Sequence, residues 1–149
     1  MKTKVFISLL LAVLLVGTLA APALAGRPKE GEVTPLLGSE GEGKFSVQPT
    51  HDGYAKVRFD ISKGISEGAY AVQISYKDRV TDDEYGPYNI GEFELNKRGN
   101  GHFSKKFGEE NSDEPLPCRP YDFTVNVRWV SDLTPHYLGY INWVDIECK

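Results

Sequence analysis

Beyond its first 25 residues, this 149-residue chain has no segment that places apolar residues at helical spacing over three turns. That absence excludes helical bundles and strand–helix–strand folds, which need amphipathic helices of period near 3.6. A second long apolar run is missing too, so nothing after residue 25 resembles the roughly 20-residue apolar segment that crosses a bilayer as a helix. Basic excess is absent: 17 Lys and Arg stand against 21 Asp and Glu, a formal net charge of −4. Nucleic-acid phosphates call for a basic face, so nucleic acid is not the expected partner.

The patterns that carry chemistry are equally thin. There is no C-x-x-C pair, and His51, His102 and His136 each stand beside a turn signal, away from metal-ligand spacing. No metal or cofactor is expected from such a set. Gly38-Ser39-Glu40-Gly41 falls one residue short of a nucleophile elbow. The acidic loops Asp82-Asp83-Glu84 and Glu109-Glu110-Asn111-Ser112-Asp113-Glu114 lack the ligand register of a calcium loop and read as solvated. A glycosidase needs two carboxylates across a cleft. Glu92 and Glu94 on one strand face fit that description no better than they fit ordinary surface.

What the chain does have begins at its start. Lys2 and Lys4 precede an apolar run of about 15 residues from Val5 to Leu19, which leads to Pro22-Ala23-Leu24-Ala25. Residues 1–25 therefore read as a secretory signal peptide cleaved after Ala25, with Ala23 and Ala25 the small residues at the cut. Its removal takes away two lysines and leaves 124 residues with 15 basic and 21 acidic side chains, a net charge of −6. That length supports one modest core, and the expected location is outside the cytoplasm with no stable membrane insertion.

Residues 26–42, rich in Gly, Pro and Glu, read as a flexible N-terminal arm, with docking of Val33, Leu36 and Leu37 as an edge segment the alternative. Residues 43–149 read as a single β domain. Ala55, Val57, Phe59 and Ile61 alternate with Lys56, Arg58 and Asp60. Tyr70, Val72, Ile74 and Tyr76 do so in the next run, and Tyr121, Phe123, Val125, Val127 and Trp129 in a third. Period two places alternate side chains on opposite faces of a strand. Seven strands are expected, near 44–48, 54–62, 69–77, 90–96, 102–107, 120–130 and 137–147, with Asn100-Gly101 as a hairpin turn. The fold class is all-β, an antiparallel two-sheet sandwich. An immunoglobulin-like Greek key is the first choice, and a small barrel or jelly roll the runner-up.

Two features point toward function. The last strand is apolar on both faces: Leu138, Tyr140, Val144 and Ile146 on one, Tyr137, Ile141 and Trp143 on the other. The even-numbered set runs longer and is expected inward, leaving Tyr137 and Trp143 outward around Gly139. Tyr85, Tyr88 and Tyr140 complete the aromatic candidates for a ligand surface, with core packing the competing explanation. Cys118 and Cys148 flank the final hairpin, whose midpoint is residue 133, so they are expected to face each other as a structural disulfide. Together these residues point to a secreted, non-enzymatic module that binds an extracellular protein or glycan. Its sharper form is a carbohydrate-binding module, and its rival a small secreted hydrolase or an inhibitor of one.

Overall fold

The computed structural model describes residues 27–36, 41–64, 68–131 and 133–147. The expected signal peptide and Cys148 lie outside the described residues. Eight strands follow one another: β1 (Lys29–Pro35), β2 (Glu42–Pro49), β3 (Ala55–Ser62), β4 (Ala69–Asp78), β5 (Glu84–Glu94), β6 (Gly101–Phe107), β7 (Pro120–Trp129) and β8 (Pro135–Asp145). All pairings are antiparallel and run in the order β5-β4-β7-β8-β1-β2-β3-β6. The succession folds over at β1 into two packed layers. β6-β3-β2 and the first half of β1 form the back sheet. β5-β4-β7-β8 and the second half of β1 form the front sheet.

Alternation decides what fills the space between the layers. Phe45, Val47, Val57 and Phe59 from the back sheet meet Val72, Ile74, Phe123, Val125 and Val127 from the front sheet, each fully buried. Burying one such side chain stabilises by about 1.5–3 kcal/mol. Phe59 sits at the centre, its ring 6.4 Å from Phe93 and 5.9 Å from Tyr137. The all-β two-sheet sandwich read from the periodicity is the observed architecture. The Greek-key connectivity is not established by this order. An immunoglobulin constant domain groups its first, second, fifth and fourth strands, whereas here the first three join the sixth.

Several expectations need correction. The segment read as a flexible arm contains β1, which pairs Lys29–Gly31 with β2 and Glu32–Pro35 with β8. Backbone hydrogen bonds on both edges make this strand, so its sequence shows no apolar alternation. β5 begins six residues earlier than expected. Gly86-Pro87, which falls between the expected strands 69–77 and 90–96, lies inside β5 at an irregularity between Ile74↔Tyr88 and Tyr76↔Tyr85. β5 is an edge strand, where a residue without an N–H breaks no ladder.

The turn between β5 and β6 is real but joins no hairpin, since β5 pairs with β4 in the front sheet and β6 with β3 in the back sheet. Its positive φ falls on Gly99 (74°), not on the Asn100-Gly101 pair. Asn96 Oδ1 accepts from the N–H groups of Arg98 and Asn100 at 2.9 and 3.1 Å. His136, read as a solvated turn residue, is buried on β8 between the Tyr70 and Trp129 rings, 5.6 and 5.4 Å away.

Candidate binding surface

The inward set on β8 is the opposite of the one expected near its start. Tyr137 and Ile141 are buried, while Leu138 is 41% and Tyr140 46% exposed. Gly139 explains the phase. It occupies an inward position where an added Cβ would stand 2.7 Å from Val125 Cγ1 and 3.2 Å from Phe45 Cβ. The glycine is small because the core is full there.

The phase then reverses. Tyr121 pairs with Val144 and Phe123 with Ile141, so Asn142 and Trp143 together oppose Asp122. Two residues facing one is a β-bulge, which re-aims the side chains beyond it. Val144 and Ile146 return to the core, and Trp143 stands outward at 50% exposure with a φ of 56°. A bulky residue at positive φ is strained by roughly 1–3 kcal/mol, so its surroundings must hold it.

Asp122 does much of that holding. The residue is 5% exposed, and its carboxylate accepts the Trp143 N–H at 2.9 Å. It also accepts Arg79 Nε at 2.8 and 2.9 Å and the Tyr140 hydroxyl at 3.3 Å. Burial pulls the Asp122 carboxyl upward. The Arg79 hydrogen bond and charge, the Trp143 N–H and the Tyr140 hydroxyl outweigh it and keep the group below the ordinary carboxylate range. The Arg79 guanidinium lies 5.0 Å from the Trp143 ring centroid, in cation–π range. Lys29 of β1 donates to the Trp143 carbonyl.

The outer face of the front sheet is thus a lattice in register. One row is Leu138, Asn126 and Gln73; the next is Tyr140, Thr124 and Ser75; the third is the bulge, Asp122 and Lys77. Ser75, Lys77, Glu84, Asp122, Thr124 and Tyr140 border a cavity of ≈ 160 Å³ beside the Tyr140 ring. Gln73 Oε1 and Asn126 Oδ1, in the Leu138 row, have no hydrogen-bond partner among the described residues.

Of the residues singled out in the sequence, Trp143 is on this surface and Tyr137 is in the core. Tyr140, first assigned inward, joins Trp143. Tyr85 and Tyr88 are half-buried at the other edge of the sheet, where Tyr76 stacks on Tyr85 at 4.8 Å and Phe107 lies 6.3 Å from Tyr88. They pack a second aromatic cluster and do not extend the Tyr140–Trp143 strip. Asp122 and Arg79 carried no signal in the sequence, being 43 residues apart. Cys118 is disulfide-bonded, and no free cysteine occurs among the described residues. The β7–β8 ladder continues outward to the Ile146 N–H on the Arg119 carbonyl at 3.1 Å, one residue from Cys118.

A larger concavity of ≈ 730 Å³ opens on the back sheet, lined by Glu42, Lys44, Asp60, Glu94, Asn96 and His102 among others. It presents no Phe, Tyr or Trp ring, and within it His102 Nδ1 lies 2.6 Å from Asp60 Oδ1. Hydrogen bonds and nearby cations hold the Asp52, Asp78 and Asp122 carboxyls below the ordinary carboxylate range, opposite to what a general acid needs. Among the described residues, no three His, Cys, Asp or Glu converge on a metal position. Compared with protein-family models, curated proteins and solved structures, the chain matches none.

Proposed function

We propose that this chain is a secreted, non-enzymatic β-sandwich that binds a glycan on the outer face of its front sheet, through Tyr140 and Trp143. The observation that carries the proposal is the half-exposed Tyr140–Trp143 pair, held on the outer face of the front sheet by Asp122 and Arg79. Flat rings with apolar faces and polar rims suit sugar rings, which alternate apolar C–H faces with hydroxyl edges. The cavity beside Tyr140 adds hydroxyl, carboxylate and ammonium groups of the kind that pair with sugar hydroxyls. Support for export comes from the leader-like residues 1–25, and a Cys118–Cys148 bond fits an oxidising compartment.

The test is retention on insoluble cellulose, chitin and xylan, followed by a soluble glycan array. The wild type is expected to bind at least one of these. Trp143→Ala and Tyr140→Ala, with unchanged far-UV spectra, should each lose about 2 kcal/mol, near 30-fold in affinity. Failure of the wild type to bind any glycan, or equal binding by the variants, overturns the proposal.

A further inference from the structure

The back sheet presents an outer face of different chemistry. Its inward side chains, Phe45, Val47, Val57, Phe59 and Phe103, are buried, so the alternate positions of β2, β3 and β6 face outward. The register sets them in three rows: Gln48, Lys56 and Lys106; Ser46, Arg58 and Ser104; Lys44, Asp60 and His102. Nine positions hold four cations and one carboxylate, on a chain whose net charge is −4. Lys44, Lys56 and Arg58 enter no ion pair among the described residues. Lys106 pairs with Asp52 at 2.5 Å and lies 3.7 Å above the Tyr54 ring.

Stability does not account for this arrangement. Lys56 and Lys106 are directly opposed across the ladder, with Arg58 two residues along. Like charges placed so are destabilising by a few tenths of a kcal/mol. Acidic side chains are abundant in the chain, yet within the rows the one carboxylate is Asp60, opposite Lys44, and the others stand at the margin: Asp52, Glu42 two residues before Lys44, and Glu30 opposite Ser46. None of the large apolar side chains exposed among the described residues, Val80, Val130, Leu133, Leu138, Tyr140 and Trp143, belongs to these rows. A bilayer surface or a protein hot spot would call for such anchors.

We infer that this face is a second docking surface, for a linear acidic polysaccharide. Arginine takes a carboxylate or sulfate through two parallel N–H bonds, and lysines take such groups as point charges. Ser46, Ser104 and Gln48 stand between the cations as partners for sugar hydroxyls. Strands lie about 4.8 Å apart and same-face residues about 6.7 Å apart along a strand, so an extended polymer meets successive cations as it crosses the sheet. The surface is independent of the Tyr140–Trp143 strip, because the two faces belong to opposite layers.

The experiment uses soluble polygalacturonate as probe, with neutral dextran, duplex DNA and phosphatidylserine-containing phosphatidylcholine vesicles in parallel. The wild type is expected to bind polygalacturonate and not dextran. Its affinity should collapse between 0.1 M and 1 M salt, as the screening length falls from about 10 Å to about 3 Å. K56E/R58E should bind about tenfold more weakly or worse, and K56Q/R58Q should fall between. Y140A/W143A should bind polygalacturonate as the wild type does, which separates this surface from the proposed glycan strip. Equal binding by the wild type and both charge variants overturns the inference. So does tighter binding to DNA or vesicles than to polygalacturonate.

Discussion

Replacing Asp122 by alanine tests how the front face is built. The substitution strands the Trp143 N–H, leaves Arg79 without its carboxylate and frees the Tyr140 hydroxyl. A hydrogen bond to a charged group contributes about 1.5–3 kcal/mol, and a backbone donor left without a partner costs about 1–3 kcal/mol. The Arg79 side chain is 35% exposed, so water takes up part of its loss. The sum is about 3 kcal/mol. For a domain of this size that lowers Tm by roughly 10 °C or more in a calorimetric melt at pH 7.

The pH dependence has a definite sign. The folded-state pKa of Asp122 is depressed, so its contribution is present above the ordinary carboxylate pKa and is lost as pH falls through the lower folded value. The gap between wild type and Asp122→Ala should therefore be full at pH 7 and close progressively below about pH 4. Asp122→Asn keeps an acceptor for Trp143 but loses the charge, and should fall between the two. An Asp122→Ala protein that melts within about 2 °C of wild type at pH 7 refutes the account of the bulge.

Tyr76 is buried, and burial pushes its hydroxyl to about 12, against the lowering by the Glu110 N–H. The unfolded chain ionises first, so stability should fall between about pH 10 and about pH 12, and Tyr76→Phe should flatten that fall in alkaline denaturation curves. Gly139→Ala drives a methyl to 2.7 Å from Val125 Cγ1 and should destabilise by about 1–3 kcal/mol in urea titration; a neutral effect would mean that the core there has slack. Thiol titration of the unfolded, non-reduced protein should find no reactive cysteine. A Cys118–Cys148 bond, which would close 29 intervening residues, would contribute roughly 3–4 kcal/mol that reduction removes.

The sandwich was legible because its core strands alternate cleanly: Ala55–Ile61, Tyr70–Tyr76 and Tyr121–Val127 each declare an inner face. What stayed hidden follows from physics that alternation does not encode. β1 is held by hydrogen bonds on both edges, and among its described side chains Val33 packs on the core. β5 carries Gly86 and Pro87 at its free edge, where they interrupt nothing. On β8, counting the longer apolar run chose the wrong phase. The bulge opposite Asp122 switches faces midway, so each apparent set is part core and part surface. Trp143 was legible as a surface ring. Its supports, Asp122 and Arg79, meet only once β4, β7 and β8 are laid side by side.

The central claim is that Tyr140 and Trp143 form a glycan surface. The chain has two tryptophans, Trp129 and Trp143, so a 15N-labelled sample gives two indole N–H signals, which Trp129→Phe assigns. A soluble oligosaccharide of the polymer retained in the pull-down is titrated into the wild type. The Trp143 indole signal should shift in a saturable manner while that of the half-buried Trp129 stays in place. A saturating titration that leaves the Trp143 signal unmoved, or moves only Trp129, contradicts the account.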